Sequence, residues 1–142
     1  MKISLGTRNA LLSALAAGIT TGEIRIYGGT PPADADADAT GNTTLCVVSV
    51  NGAGTALTFS APSGGTMVKT PAEAWLGTNL LSGTATFYRL VNTSDDDLVT
   101  TTLPRVQGTV GLINADLNLA TTSLLVGQEQ RIDTFVLGMP GE

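Results

Sequence analysis

From Gly22 to the end of the chain, short β-branched runs alternate with turn signals about every 8–12 residues, the pattern of an antiparallel β-sandwich or barrel. Glu23-Ile24-Arg25-Ile26-Tyr27 alternates polar and apolar side chains, as a half-buried strand does. Leu45 to Val50 is a β-branched run that ends at Asn51-Gly52, the best short hairpin signal present, with Thr55 to Ser60 expected to return from it. Thr66 to Thr70, Thr84 to Val91, Leu98 to Leu103, Val110 to Leu112, Leu117 to Leu119 and Gln130 to Leu137 extend the series. Composition supports the same reading. The 142 residues include 22 Thr, which suit a pleated and half-exposed surface, and 17 Gly, which suit tight turns.

One segment breaks this pattern. Arg8 to Ala17 is rich in Ala and Leu, and Leu11, Leu12, Leu15 and Ile19 fall at helical spacings. The expectation is a helix over about residues 7–18, capped by Thr7 at its start and by a left-handed Gly18 at its end, with that stripe packed on a sheet. Residues 1–6 form an arm ahead of it, and Ile3 and Leu5 on alternate positions suit a short edge strand. Residues 30–43 hold Pro31-Pro32 and the Asp-Ala alternation of Asp34 to Ala39, a composition expected of an exposed acidic loop. Pro71 to Leu81 reads either as a short helix or as a loop anchored by Trp75. The length fits one domain, residues 1–142, mainly β with one N-terminal helix.

Residue content removes several chemistries. The absence of histidine excludes Ser-His and Cys-His catalysis and imidazole metal sites. The single cysteine, Cys46, lies in an apolar run and reads as a small buried hydrophobe. Net charge is −5 and Lys and Arg are not clustered, so no nucleic acid partner is expected. The apolar stretch near Leu11 to Ala17 is too short to span a membrane, and the N-terminus lacks a secretory pattern, so a cytoplasmic origin is expected. Asp34, Asp36 and Asp38 imitate the start of a calcium loop, but Ala39 and Leu45 stand where that loop needs Gly and Glu. Asp95-Asp96-Asp97 reads as turn chemistry. Asp116 and Asp133 could form a glycosidase pair only if the fold brought them together. Gly52-Ala53-Gly54 lacks the strand–turn–helix setting of a phosphate loop. No motif supports catalysis, a cofactor or a metal site.

The opening Met1-Lys2-Ile3-Ser4-Leu5-Gly6-Thr7-Arg8-Asn9-Ala10-Leu11-Leu12 and the stretch Ile24-Arg25-Ile26-Tyr27-Gly28-Gly29-Thr30-Pro31 are similar to small virion-associated proteins of tailed bacteriophages and prophages. Thr84 to Val91 resembles that family's central strand, and Asp116-Leu117-Asn118-Leu119, Thr121-Thr122-Ser123 and Phe135 to Pro140 complete the likeness. The resemblance implies a non-enzymatic structural protein of the virion, assembled in the host cytoplasm. Head decoration, or cement, is the leading role. It implies the major capsid protein or other virion proteins as partners, and a homo-oligomer, with a trimer favoured. A tail, tail-tip or head–tail connector component is the alternative, and a carbohydrate-binding receptor module the alternative from another class. The candidate interface residues are Lys2, Ile3 and Leu5 in the arm, and Trp75.

Overall fold

The structure is a computed structural model and describes residues 1–141. The fold is mainly β, a curled, barrel-like sheet with one N-terminal helix. Helix α1 spans Leu5–Gly18. The strands are β1 Gly22–Gly28, β2 Thr43–Val50, β3 Thr66–Val68, β4 Trp75–Thr78, β5 Gly83–Asn92, β6 Val106–Gly111, β7 Leu117–Asn118, β8 Ser123–Leu124, β9 Glu129–Ile132 and β10 Val136–Gly138. The main sheet runs β7-β6-β5-β1-β2-β4-β9, with β8 paired to the start of β5, and β3 and β10 form a separate ribbon. Every pairing is antiparallel except β6 with β7, which is parallel and departs from the all-antiparallel expectation. The two end strands face each other across a cleft of about 450 Å³ lined by Asn118, Thr121, Gln130 and Arg131.

Alternation along the central strands gives the sheet two buried faces. Ile24 and Ile26 of β1, Cys46 and Val48 of β2, and Tyr88 and Leu90 of β5 contribute to the main core. An aromatic cluster completes it: Trp75 lies 5.7 Å from Phe135 and 5.5 Å edge-on from Phe59, and Tyr88 meets Phe135 edge-on at 5.5 Å. Leu12 and Ile19 of the helical segment also belong to this core.

The helix departs from expectation at both ends. Ser4, not Thr7, is the N-cap: its hydroxyl accepts the Thr7 amide at 3.1 Å, and its carbonyl accepts the Arg8 amide. Gly18 is not left-handed, and the Ile19 amide closes the last turn on the Leu15 carbonyl. Leu11 is exposed; Leu12 and Ile19 are buried, and Leu15 and Ala16 pack partly buried against the core. The edge strand expected of the arm is not formed: residues 1–4 have no strand pairing, and Leu5 has joined the helix.

Other segments also differ. Asn51 and Gly52 adopt the positive φ values, 56° and 65°, that their hairpin signal calls for. The return is nevertheless brief, a single bridge from Val50 to Thr55, because the chain then crosses to bond Leu57 to the Gly22 carbonyl. Pro71 to Leu81 is neither helix nor loop at its centre: Trp75 opens β4 and is buried. Leu98 to Leu103 makes no strand, since the Thr100 hydroxyl takes the amides of Thr102 and Leu103 in a local turn. Gln130 to Leu137 divides where Phe135 turns into the aromatic cluster, leaving β9 on β4 and β10 on β3.

Candidate interaction surface

The second face of the sheet carries a polar layer. Tyr27 stacks on Phe87 at 4.7 Å, and beside them Arg89 is completely buried in the middle of β5. Asp97, which holds a left-handed φ of 62°, receives the Tyr27 hydroxyl at 2.8 Å and Arg25 Nη1 at 3.1 Å, with Arg89 Nη1 at 3.5 Å. Asp95 takes two hydrogen bonds of 2.6 Å from Arg105, a bidentate pair that is almost wholly enclosed. Burial pushes the Asp95 carboxyl up, but the Arg105 bonds and then the Asp97 amide outweigh it and hold the carboxyl below its ordinary value. Burial first, and then the bond to Asp97, raise the Tyr27 hydroxyl above its ordinary value.

This layer corrects two expectations. Asp95 and Asp97 are enclosed counter-charges for three arginines as well as turn residues, while Asp96 stays exposed. Residues 30–43 form a loop, but one pinned to the sheet. Arg89 donates to the Ala37 carbonyl at 2.7 Å, Arg105 to that of Ala35 at 3.3 Å and Gln107 to that of Pro32 at 3.0 Å, and Ala39 is buried. Asp34, Asp36 and Asp38 remain on its exposed side. The Asp34 carboxylate caps the amides of Asp36 and Ala37, and that of Asp38 caps Thr40. Asp116 is bound by the Thr109 amide and hydroxyl, and Asp133 pairs with Arg131 on the surface. Among the described residues no group of three His, Cys, Asp or Glu is placed to hold a metal ion, and no helix is long and apolar enough to cross a membrane.

The four proposed interface residues separate. Lys2 and Leu5 are exposed and Ile3 is partly covered, so these three lie together at the start of the helix. Trp75 is enclosed in the core, off the surface of the chain, and its indole N–H donates to Glu73 at 2.7 Å. Tyr27, Tyr88, Phe87 and Phe135 are buried too, leaving no exposed aromatic platform among them.

What the surface offers instead is aliphatic. Among the described residues fourteen large apolar side chains are exposed, and eight of them form adjacent pairs on loops: Leu80-Leu81, Leu98-Val99, Leu112-Ile113 and Leu125-Val126. Two pairs share one locality. The buried side chain of Asn79 donates to the Leu125 carbonyl at 3.0 Å, and its backbone bonds both Gln128 and Gly127 at 2.8 Å. The Val126 amide donates to the Ser82 hydroxyl at 2.9 Å, and the Leu80 amide to the Leu45 carbonyl at 2.7 Å. Ser82 and Gly83 also line a neighbouring cleft of about 570 Å³, whose other walls include Gly28, Gly29, Thr30 and Asn42 and carry no charged side chain. Pairs of this kind were within reach of sequence reading, since each interrupts a turn segment otherwise made of small and polar residues. No protein-family model matches the chain, no curated protein is significantly similar to it, and no solved structure matches it significantly.

Proposed function

We propose that this chain is a non-enzymatic structural protein of a tailed-phage particle, a decoration or cement protein that binds the assembled head shell and reinforces it. The observation that carries this reading is the set of aliphatic pairs held out on hydrogen-bonded loops of an otherwise well-buried barrel. Apolar surface kept in water on ordered backbone marks a binding surface more often than a catalytic one. The similarity of the chain's opening, its central strand and its ending to virion-associated proteins supplies the assembly context. Hydroxyls and small side chains around the pairs suit a flat, wet contact that desolvates few charges. The acidic loops keep free copies soluble before assembly. The partner is the major capsid protein, the chain acts as a homo-oligomer, a trimer by preference, and the mechanism is multivalent attachment without a chemical step.

Quantitative gel analysis of purified particles tests this reading. A decoration protein is present at a fixed ratio approaching the copy number of the major capsid protein. A few copies per particle would place the chain in the tail or connector, and none would overturn the virion reading.

A further inference from the structure

We propose that Leu80, Leu81, Leu125 and Val126 form one preformed apolar foot that docks on a neutral, aliphatic surface of an assembled protein array, and not on a second copy of this chain. The proposal rests on the decoration reading above and names the part of the surface that makes the contact. The four side chains are 54%, 51%, 52% and 60% exposed. Their loops are not slack: Asn79, Ser82 and the backbone of residues 125–128 tie them together, so docking orders little that was free.

Charge and shared hydrogen bonds separate this pair of loops from the other two aliphatic pairs. Leu98-Val99 follows Asp95 to Asp97, and the Leu98 amide is itself bonded to the exposed Asp96 carboxylate at 3.1 Å. Leu112-Ile113 stands three residues before the exposed Asp116, as Val126 does before Glu129, but Leu80-Leu81 and Leu125-Val126 are also tied to one another through Asn79 and Ser82. Residues 77–83 and 124–128 contain no ionisable side chain, and the rim carries one carboxylate, Glu129, where β9 pairs with Thr78 of β4. The complementary surface is therefore aliphatic, with a basic group at its edge.

Area selects the kind of occupant. Four half-exposed aliphatic side chains present a few hundred Å². A stable complex of two chains needs roughly 800 Å² from each partner. Two copies meeting foot to foot would fall short of that area while bringing two Glu129 carboxylates towards one another. A repeating array supplies what a single partner cannot, because many small contacts linked through an oligomer add to a durable attachment.

The test uses the full-length chain, the double variant Leu81→Asp/Val126→Asp, and particles of a phage mutant from which the chain's gene is deleted. Both substitutions lie at exposed positions, and an unchanged thermal midpoint certifies folding; Leu80→Ser/Leu125→Ser serves if the first pair lowers it. The expected result is at least a tenfold loss of particle binding with the sedimentation coefficient of the free chain unchanged. Binding of the wild-type chain should change less than threefold between 0.1 and 1 M salt, because the contact is apolar. Attachment that survives both double variants overturns the inference alone. A sedimentation change with attachment retained makes the foot a contact between copies and overturns the choice of partner. Failure of the wild-type chain to bind overturns the decoration reading and this inference with it.

Discussion

Arg89 shows most directly how one residue organises this protein. It lies within Phe87-Tyr88-Arg89-Leu90-Val91, fully enclosed, and it faces Asp97 while donating to the Ala37 carbonyl of the covering loop. Asp97 keeps Arg25 and Tyr27 without it, but Arg89→Ala empties an enclosed site and takes the donor from the Ala37 carbonyl and the Gln107 side chain, so it should cost about 2–5 kcal/mol in urea unfolding. Asp95 predicts a pH dependence. Its folded pKa lies below the unfolded value near 3.9, so its contribution to stability is complete above that value and is lost as pH falls through the folded one. Urea midpoints for the parent chain should therefore drop between pH 5 and pH 2, and Asp95→Asn should flatten that drop; equal slopes would assign the acid sensitivity to other carboxylates. Cys46, whose thiol burial pushes up to about 11, should resist thiol reagents at pH 8 until the chain unfolds. The polar layer was only half legible in the sequence. A charge in the middle of an apolar strand such as β5 signals a buried partner, but single arginines at Arg25, Arg89 and Arg105 do not say which loop carboxylates they meet. That pairing depends on how residues 30–42 and 93–105 fold back over the sheet.

At the scale of elements, helix and strand register separate residues that look alike in the sequence. Leu11 and Leu12 both fit the helical stripe, yet starting the helix at Leu5 turns Leu12 inward and Leu11 out. Leu12→Ala should cost about 2–5 kcal/mol, the range for a buried large aliphatic residue. Leu11→Ala should stay within about 0.5 kcal/mol, and Ser4→Ala should cost about 1 kcal/mol through the lost cap. Chemical denaturation of the three variants checks the order. β4 and β8 were the strands that sequence patterning missed, because Trp75-Leu76-Gly77-Thr78 and Ser123-Leu124 are too short to show a period. The place of β4 is set by close approach: a Cβ on Gly77 would sit 2.2 Å from the Val47 carbonyl oxygen and 2.8 Å from Cys46 Sγ. Gly77→Ala should force β2 and β4 apart and lower the thermal midpoint sharply, whereas a shift of a degree or two would mean that this contact is slack. The long strands β1, β2 and β5 were legible because their alternation and β-branching are strong over seven to ten residues. The Thr-rich stretch from Leu98 was not, because side-chain hydroxyls and Asp97 fold it locally.

The whole molecule is a sheet buried on both faces, with an aromatic core under the helix on one side and a pinned acidic cover on the other. Its neutral aliphatic pairs project from loops at the ends of the strands, where they can meet another surface without disturbing either layer. Addition to a finished shell is the central proposal, and add-back measures it most directly. Purified chain is titrated onto particles that lack it, and bound copies per particle are counted. The account predicts a binding curve that saturates at a fixed multiple of the shell's symmetry. Binding that never saturates, or its complete absence, would contradict it.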